Sequence, residues 1–181
     1  MSKIKWVGDP VHSQIQFSVR HMVISKIRGE FKQWEAFAET NGDNMEDAEI
    51  SFQATTASVD TGSEYRDKDL RSDKGLFQTE QFPYMIFKST SFKKKNEEDY
   101  VLTGDLTIRD VTKSITLDVE FGGIITDPYG MRRAGFSVTG KLNRKDYGMT
   151  YNQLIETGGA VVGETINIDI HIEFTHQSEG K

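Results

Sequence analysis

The sequence predicts an all-β fold: an eight-stranded antiparallel barrel with one helix, at about 61–76, covering an opening. Three observations lead there. Long stretches alternate apolar and polar residues with the period of a half-buried strand. Turn signals separate these stretches at hairpin spacing. One segment alone switches to helical signals. Clean alternation over eight strands favours closure, because a closed barrel leaves no unpaired edge.

The first run, 9–22, sets Ser13, Ile15, Phe17 and Val19 on one phase and Gln14, Gln16, Ser18 and Arg20 on the other. It ends in a polar, sulfur-bearing cluster, Arg20-His21-Met22. The next run starts at 27–34 and ends near Asn41-Gly42, a hairpin signal. Ile50, Phe52 and Ala54 then alternate with Glu49, Ser51 and Gln53. Beyond Pro83, Met85, Phe87 and Ser89 lead into the charged turn 93–99, and Leu102, Leu106 and Ile108 follow it. Ile115, Leu117, Val119 and Phe121 form the cleanest alternation so far. Asp127-Pro128-Tyr129-Gly130 fits a type I turn, with Asp at i, Pro at i+1 and Gly at i+3. Ala134, Phe136, Val138, Gly140 and Leu142 precede the last strand, where Ile166, Ile168, Ile170, Ile172 and Phe174 share a face.

The helix rests on different evidence. Thr61-Gly62-Ser63-Glu64 reads as a capping box. Glu64 with Lys68, and Asp67 with Arg71, are spaced for i,i+4 ion pairs. Gly75 suits the C′ position. Tyr65, Leu70, Leu76 and Phe77 are too few apolar residues for a central core element, so the helix is expected across an opening of the sheet.

A length of 181 residues suits one domain, 1–181, with a substantial core. The net charge of -6 argues against a nucleic-acid footprint and against electrostatic adhesion to anionic membranes. The absence of cysteine excludes disulfides, thiolate metal sites and cysteine nucleophiles. Residues 1–8 contain no apolar signal region, and no window reaches the length of a membrane-spanning helix, so a cytoplasmic location is expected.

Chemical motifs are sparse. The stretch 135–140 lacks the glycine at 139 that a nucleophile elbow needs, and Ser137 falls mid-strand on the polar phase. None of His12, His21, His171 and His176 has zinc-helix spacing, and no metal or cofactor is expected. His171 and His176 read as solvated surface. His12 and His21 bracket the first strand, where they could pair with carboxylates, cap a loop or contact a ligand. Asn143-Arg144-Lys145-Asp146-Tyr147-Gly148-Met149 reads either as a salt-bridged turn or as an entrance rim whose basic residues meet a head group. An eight-stranded barrel is either filled by side chains or holds one small ligand, and the phases here leave an apolar lumen with no regular supply of buried charge.

Four separated segments resemble the YceI family of polyisoprenoid-binding or lipid-binding proteins. They are the run 9–22 continued to Phe31, the helix 66–72 followed by Phe82-Pro83 and Ile86-Phe87, the segment 104–113, and 143–149. The resemblance as a whole runs over about 6–174. The resemblance implies a lipocalin-like barrel whose lumen holds a long amphiphile: a polyisoprenoid, an isoprenoid quinone or a fatty-acid derivative. It implies binding, carriage or sequestration without enzyme activity, in a family where homodimers are frequent. Asp69 stands where the family usually has His, Lys74-Gly75-Leu76-Phe77 where it has Asp-Phe-Phe, and Asp110 where it has Gly. These departures bear on head-group preference. Many relatives carry a secretion signal, which this sequence does not show.

On that basis the expected lining residues are Phe17, Val19, Phe31, Phe52 and Phe87 in the first half of the chain. Leu117, Phe136, Val138, Ile168 and Ile170 are expected in the second. Arg20, His21, Arg66 and Arg144 are the head-group candidates. The competing expectation is a stress-related scaffold or interaction protein with a filled barrel and no small-molecule ligand. An enzyme ranks third, since it would need a clustered acid–base pair in the lumen.

Overall fold

The computed structural model describes residues 2–21, 24–72, 77–149 and 162–176. Its strands are β1 (Lys3–Gly8), β2 (Gln14–His21), β3 (Ser25–Phe31), β4 (Trp34–Asn41), β5 (Asn44–Thr55), β6 (Val59–Asp60), β7 (Tyr84–Lys94), β8 (Asp99–Ile108), β9 (Val111–Thr126), β10 (Arg132–Asn143) and β11 (Val162–His176). One α-helix, α1 (Glu64–Arg71), follows β6.

These pieces make the closed eight-stranded antiparallel barrel expected from the sequence. β1 and β2 are two halves of one bent strand, both paired with β11. β3 and β4 are halves of the second, and β5 and β6 of the third. β7 to β10 then follow in simple meander order, and β11 closes the ring against β1.

The three bends fall side by side and form a corner. The first has a clear local cause. Pro10 cannot donate to a ladder, and Asp9 instead caps a short 3-10 turn, Pro10–His12, by accepting the Val11 N–H. The ladder is carried across this gap on Glu173. Its carbonyl accepts the Asp9 N–H, and its N–H donates to Ser13 Oγ at 2.9 Å. Ser13 therefore serves the corner, where the alternation alone put it on the buried face. β1 itself was not among the expected strands. Its signal, Ile4 and Trp6 against Lys3 and Lys5, is two apolar positions long.

The turns follow their chemistry. Asp127 Oδ1 accepts the Tyr129 and Met131 N–H groups, and Gly130, at φ +85°, takes the left-handed position that closes the β9–β10 hairpin.

The helix is shorter than expected. Ser63 is its N-cap, accepting the Arg66 N–H, so the cap lies two residues past the predicted Thr61. Asp67 does not pair with Arg71. It is buried and accepts the Thr61 N–H at 2.8 Å and the Thr61 hydroxyl at 2.6 Å. Arg71 reaches back to the carbonyls of Ala57 and Val59. Among the described residues no ion pair joins Glu64 to Lys68. The Thr61 amide and hydroxyl thus take up Asp67, and backbone carbonyls take up Arg71, in place of the i,i+4 pair. Gly75, the expected C′ residue, lies outside the described residues; Ser72 closes α1 on the Asp69 carbonyl.

Inward positions alternate through every strand, and glycines among them make room for large neighbours. A side chain at Gly104 would run into the Phe87 ring and meet the Lys88 carbonyl oxygen at 2.6 Å. Gly104→Val is therefore expected to destabilise the barrel by about 1–3 kcal/mol through overpacking. Chemical denaturation would show it as a lower midpoint at unchanged slope.

Candidate ligand-binding lumen

The lumen contains one continuous cavity of about 500 Å³. That lies within the ~300–1,000 Å³ range of small-molecule sites. Phe17, Val19, Phe31, Phe52, Phe87, Leu117, Phe136, Val138, Ile168 and Ile170 all line it. The middle of the wall is mainly aliphatic, with Ile170 set between Val138 and Ile15 in the β10–β11–β2 ladder.

One end is a closed floor. Trp6, Thr40, Met45, Phe92, Ala134 and Phe174 line the cavity there, and each is buried. The Trp6 indole N–H donates to Thr40 Oγ1 at 2.9 Å, and that hydroxyl donates to the Gly42 carbonyl at 2.7 Å. The polar atoms of the floor are thereby occupied. Behind the lining stands a second aromatic layer. Tyr100 stacks on Phe92 at 4.8 Å and Phe121 on Phe136 at 5.0 Å.

The other end is polar and lies against α1. Thr61, Ser63, Tyr65, Arg66, Asp69 and His21 line it. Tyr65 is 87% exposed, so the cavity meets solvent beside the helix. Leu70 and Phe77 hold this cover down, Phe77 packing edge-on against Phe31 at 5.7 Å. Arg66 and His21 thus occupy the expected mouth. Arg20 does not. It is exposed on the outer phase, opposite Lys26, and is not among the lining residues.

Arg144 also departs from expectation. It lines the cavity, yet it is 0% exposed and is not a rim residue. It begins a 3-10 turn, Arg144–Tyr147, capped by Asn143 and ended by Gly148 at φ +75°. Its guanidinium donates to the Gly163 carbonyl at 2.8 Å and to the Met149 carbonyl. One buried cation therefore ties this turn to the start of β11, and burial lowers its pKa. The phase pattern, which suggested few buried charges, missed it because this turn has no strand period. Lys145 of this turn pairs outside it, with Glu164 of β11 at 2.7 Å. Burial, with Asp146 nearby, pushes the Tyr147 phenol up to about 12, and its hydroxyl has no hydrogen-bond partner among the described residues.

His12 is structural. Its Nδ1 lies 2.8 Å from Asp9 Oδ2. Arg133 bonds the same Asp9 oxygen at 2.8 Å, Asp127 at 2.9 Å and Glu173 at 3.4 Å, clamping β10 to the corner. The cluster Asp9, His12 and Glu173 has the donors for a metal, but the Arg133 guanidinium already supplies its positive charge. Partial burial pushes the Asp9 carboxyl up, while bonds from Arg133, His12 and the Val11 N–H outweigh it and bring it down to about 2. A folded pKa below the ordinary 3.8 stabilises the barrel above pH ~4, and this contribution, on the order of 2 kcal/mol, is lost as pH falls through about 2. Asp9→Asn is expected to flatten that acid limb in a stability-against-pH titration.

Ser137, His171 and Asp169 form a triad in composition on the outer face, with Ser137 Oγ 3.1 Å from His171 Nδ1 and His171 Nε2 3.4 Å from Asp169. Ser137 sits mid-strand between β9 and β11, so its backbone amide serves a ladder and not an oxyanion hole. The trio is a cross-strand polar contact. His176 is the last residue of β11 and half-buried, its ring 5.5 Å from that of Trp6, where a solvated residue was expected.

Comparison with known proteins agrees with this architecture. A family model described as the YceI-like domain matches residues 6–174. A UPF0312 protein of Staphylococcus epidermidis is 37% identical over 172 residues, covering 94% of this chain and 97% of that protein. The crystal structure of the YCEI protein of Campylobacter jejuni superposes with a TM-score of 0.75 at 31% identity, over 88% of this chain and 90% of that one. A polyisoprenoid binding domain from Saccharophagus degradans, at 14% identity, shares the fold with a TM-score of 0.66 over 96% of this chain and 99% of that one.

Proposed function

Starting from the fact that this chain belongs to the YceI-like family, we propose that its lumen binds and carries or sequesters a long-chain amphiphile. The ligand class is a polyisoprenoid, an isoprenoid quinone or a fatty-acid derivative. The observation that carries this is the polarity of the cavity along its length. It is apolar from the sealed floor upward and polar at the mouth beside α1. A tail entering it leaves water at about 0.8 kcal/mol per buried methylene. Head groups remain at Arg66, His21 and Asp69, close to solvent. The polyisoprenoid binding named for the Saccharophagus domain supports the same ligand class. A scaffold with a filled barrel is the second reading, and a cavity of about 500 Å³ speaks against it.

Calorimetric titration with a prenyl alcohol and a fatty acid tests the proposal; saturable one-to-one binding is expected, and none by either probe would defeat it. Arg66→Ala is expected to weaken binding of a carboxylate-headed chain about tenfold or more, the scale of one hydrogen bond to a charged group. The same substitution should leave a hydrocarbon of equal length unaffected.

A further inference from the structure

We infer that the aromatic floor sets the length of chain the lumen accepts, with Phe92 and Trp6 as the stop. This rests on the carrier reading above. The orientation comes first. Polar side chains lining the cavity gather at the α1 end, while the Thr40 hydroxyl at the floor is already used by Trp6 and Gly42. A head group therefore stays at the mouth, and the tail points down.

The floor is also built to resist being pushed. Phe92 and Phe136 face the cavity, and Tyr100 and Phe121 do not line it but stack directly behind them. Tyr100 meets Phe121 edge-on at 6.2 Å, so the backing rings brace each other. Phe136 meets Phe174 edge-on at 5.8 Å on the other side. A tail that reaches Phe92 can go no farther without displacing two layers of rings in a close-packed interior. Small residues near this end, Ala48 among them, border the remaining space.

The protein contains its own reporter. It has two tryptophans; Trp6 lines the cavity at the floor and Trp34 does not line it. In a Trp34→Phe background, Trp6 emission reports arrival of a tail at the floor. The probes are prenyl alcohols of increasing length: geraniol, farnesol, geranylgeraniol and longer members. Affinity should tighten with each added unit, and Trp6 emission should change only from the length that reaches the floor. Beyond that length affinity should stop rising.

Phe92→Leu deepens the floor and should move this break-point to a longer chain by about one isoprene unit. Ala48→Leu fills it and should move the break-point to a shorter chain. If one variant fails to fold, the other still decides. A break-point unchanged by a folded variant, with the probes still bound, overturns the length stop while leaving the carrier reading intact. If no probe of any length binds the parent protein, the carrier reading fails, and the length stop with it.

Discussion

Trp6→Ala is expected to destabilise the barrel by about 3–5 kcal/mol, the cost of deleting a buried aromatic side chain. Trp6 is 1% exposed and closes the floor where β1 meets β4. Its removal takes away the ring and also the donor that satisfies Thr40 Oγ1. The two losses separate cleanly. Trp6→Phe keeps most of the packing and removes the hydrogen bond, so it should cost less, with the bond itself contributing about 1 kcal/mol. Urea unfolding of both variants measures the split. Equal midpoints for Trp6→Ala and the parent would show that the floor does not hold the barrel closed.

Ile170→Glu is expected to reduce binding of an apolar chain on the order of 100-fold or more, because a carboxylate in the lumen must be stripped of water when a tail enters. Ile170 borders the cavity and is half-buried, so in the empty protein water can reach the new carboxylate and the barrel should persist. Ile170→Leu is the matched control and should bind normally. The pair of measurements is tail affinity by titration and stability by denaturation. Loss of the fold with no ligand to lose is the outcome a filled scaffold would give.

Much of this was legible in the sequence because strands announce themselves by period. Phe136, Val138, Ile168 and Ile170 face the lumen because each sits on an alternating run that one-residue slippage would turn inside out. The features that alternation cannot express were the ones missed. Trp6 lies on a strand with two inward apolar residues, too short to be told from chance. Arg144 reads from the sequence as part of a salt-bridged turn or an entrance rim, whereas its guanidinium is held inside by the carbonyls of Met149 and Gly163. Asp67 and Arg71 have ion-pair spacing, but a hydroxyl, an amide and two carbonyls lay closer. The run 9–22 contained a bend as well as a strand, and Asp9-Pro10 is its mark: a capping carboxylate followed by a residue that cannot donate. Its His12 and Ser13 serve the corner, while Phe17, Val19 and His21 serve the lumen.

In the proposed carrier role, the lumen holds a long apolar chain with its head at the α1 end. Native mass spectrometry of the purified protein, followed by solvent extraction and mass analysis of what co-purifies, tests it most directly. One bound molecule per chain is expected, with a recurring isoprenoid or acyl mass that Ile170→Glu preparations lack. Empty protein from several expression hosts that also takes up no added prenyl alcohol or fatty acid would contradict it.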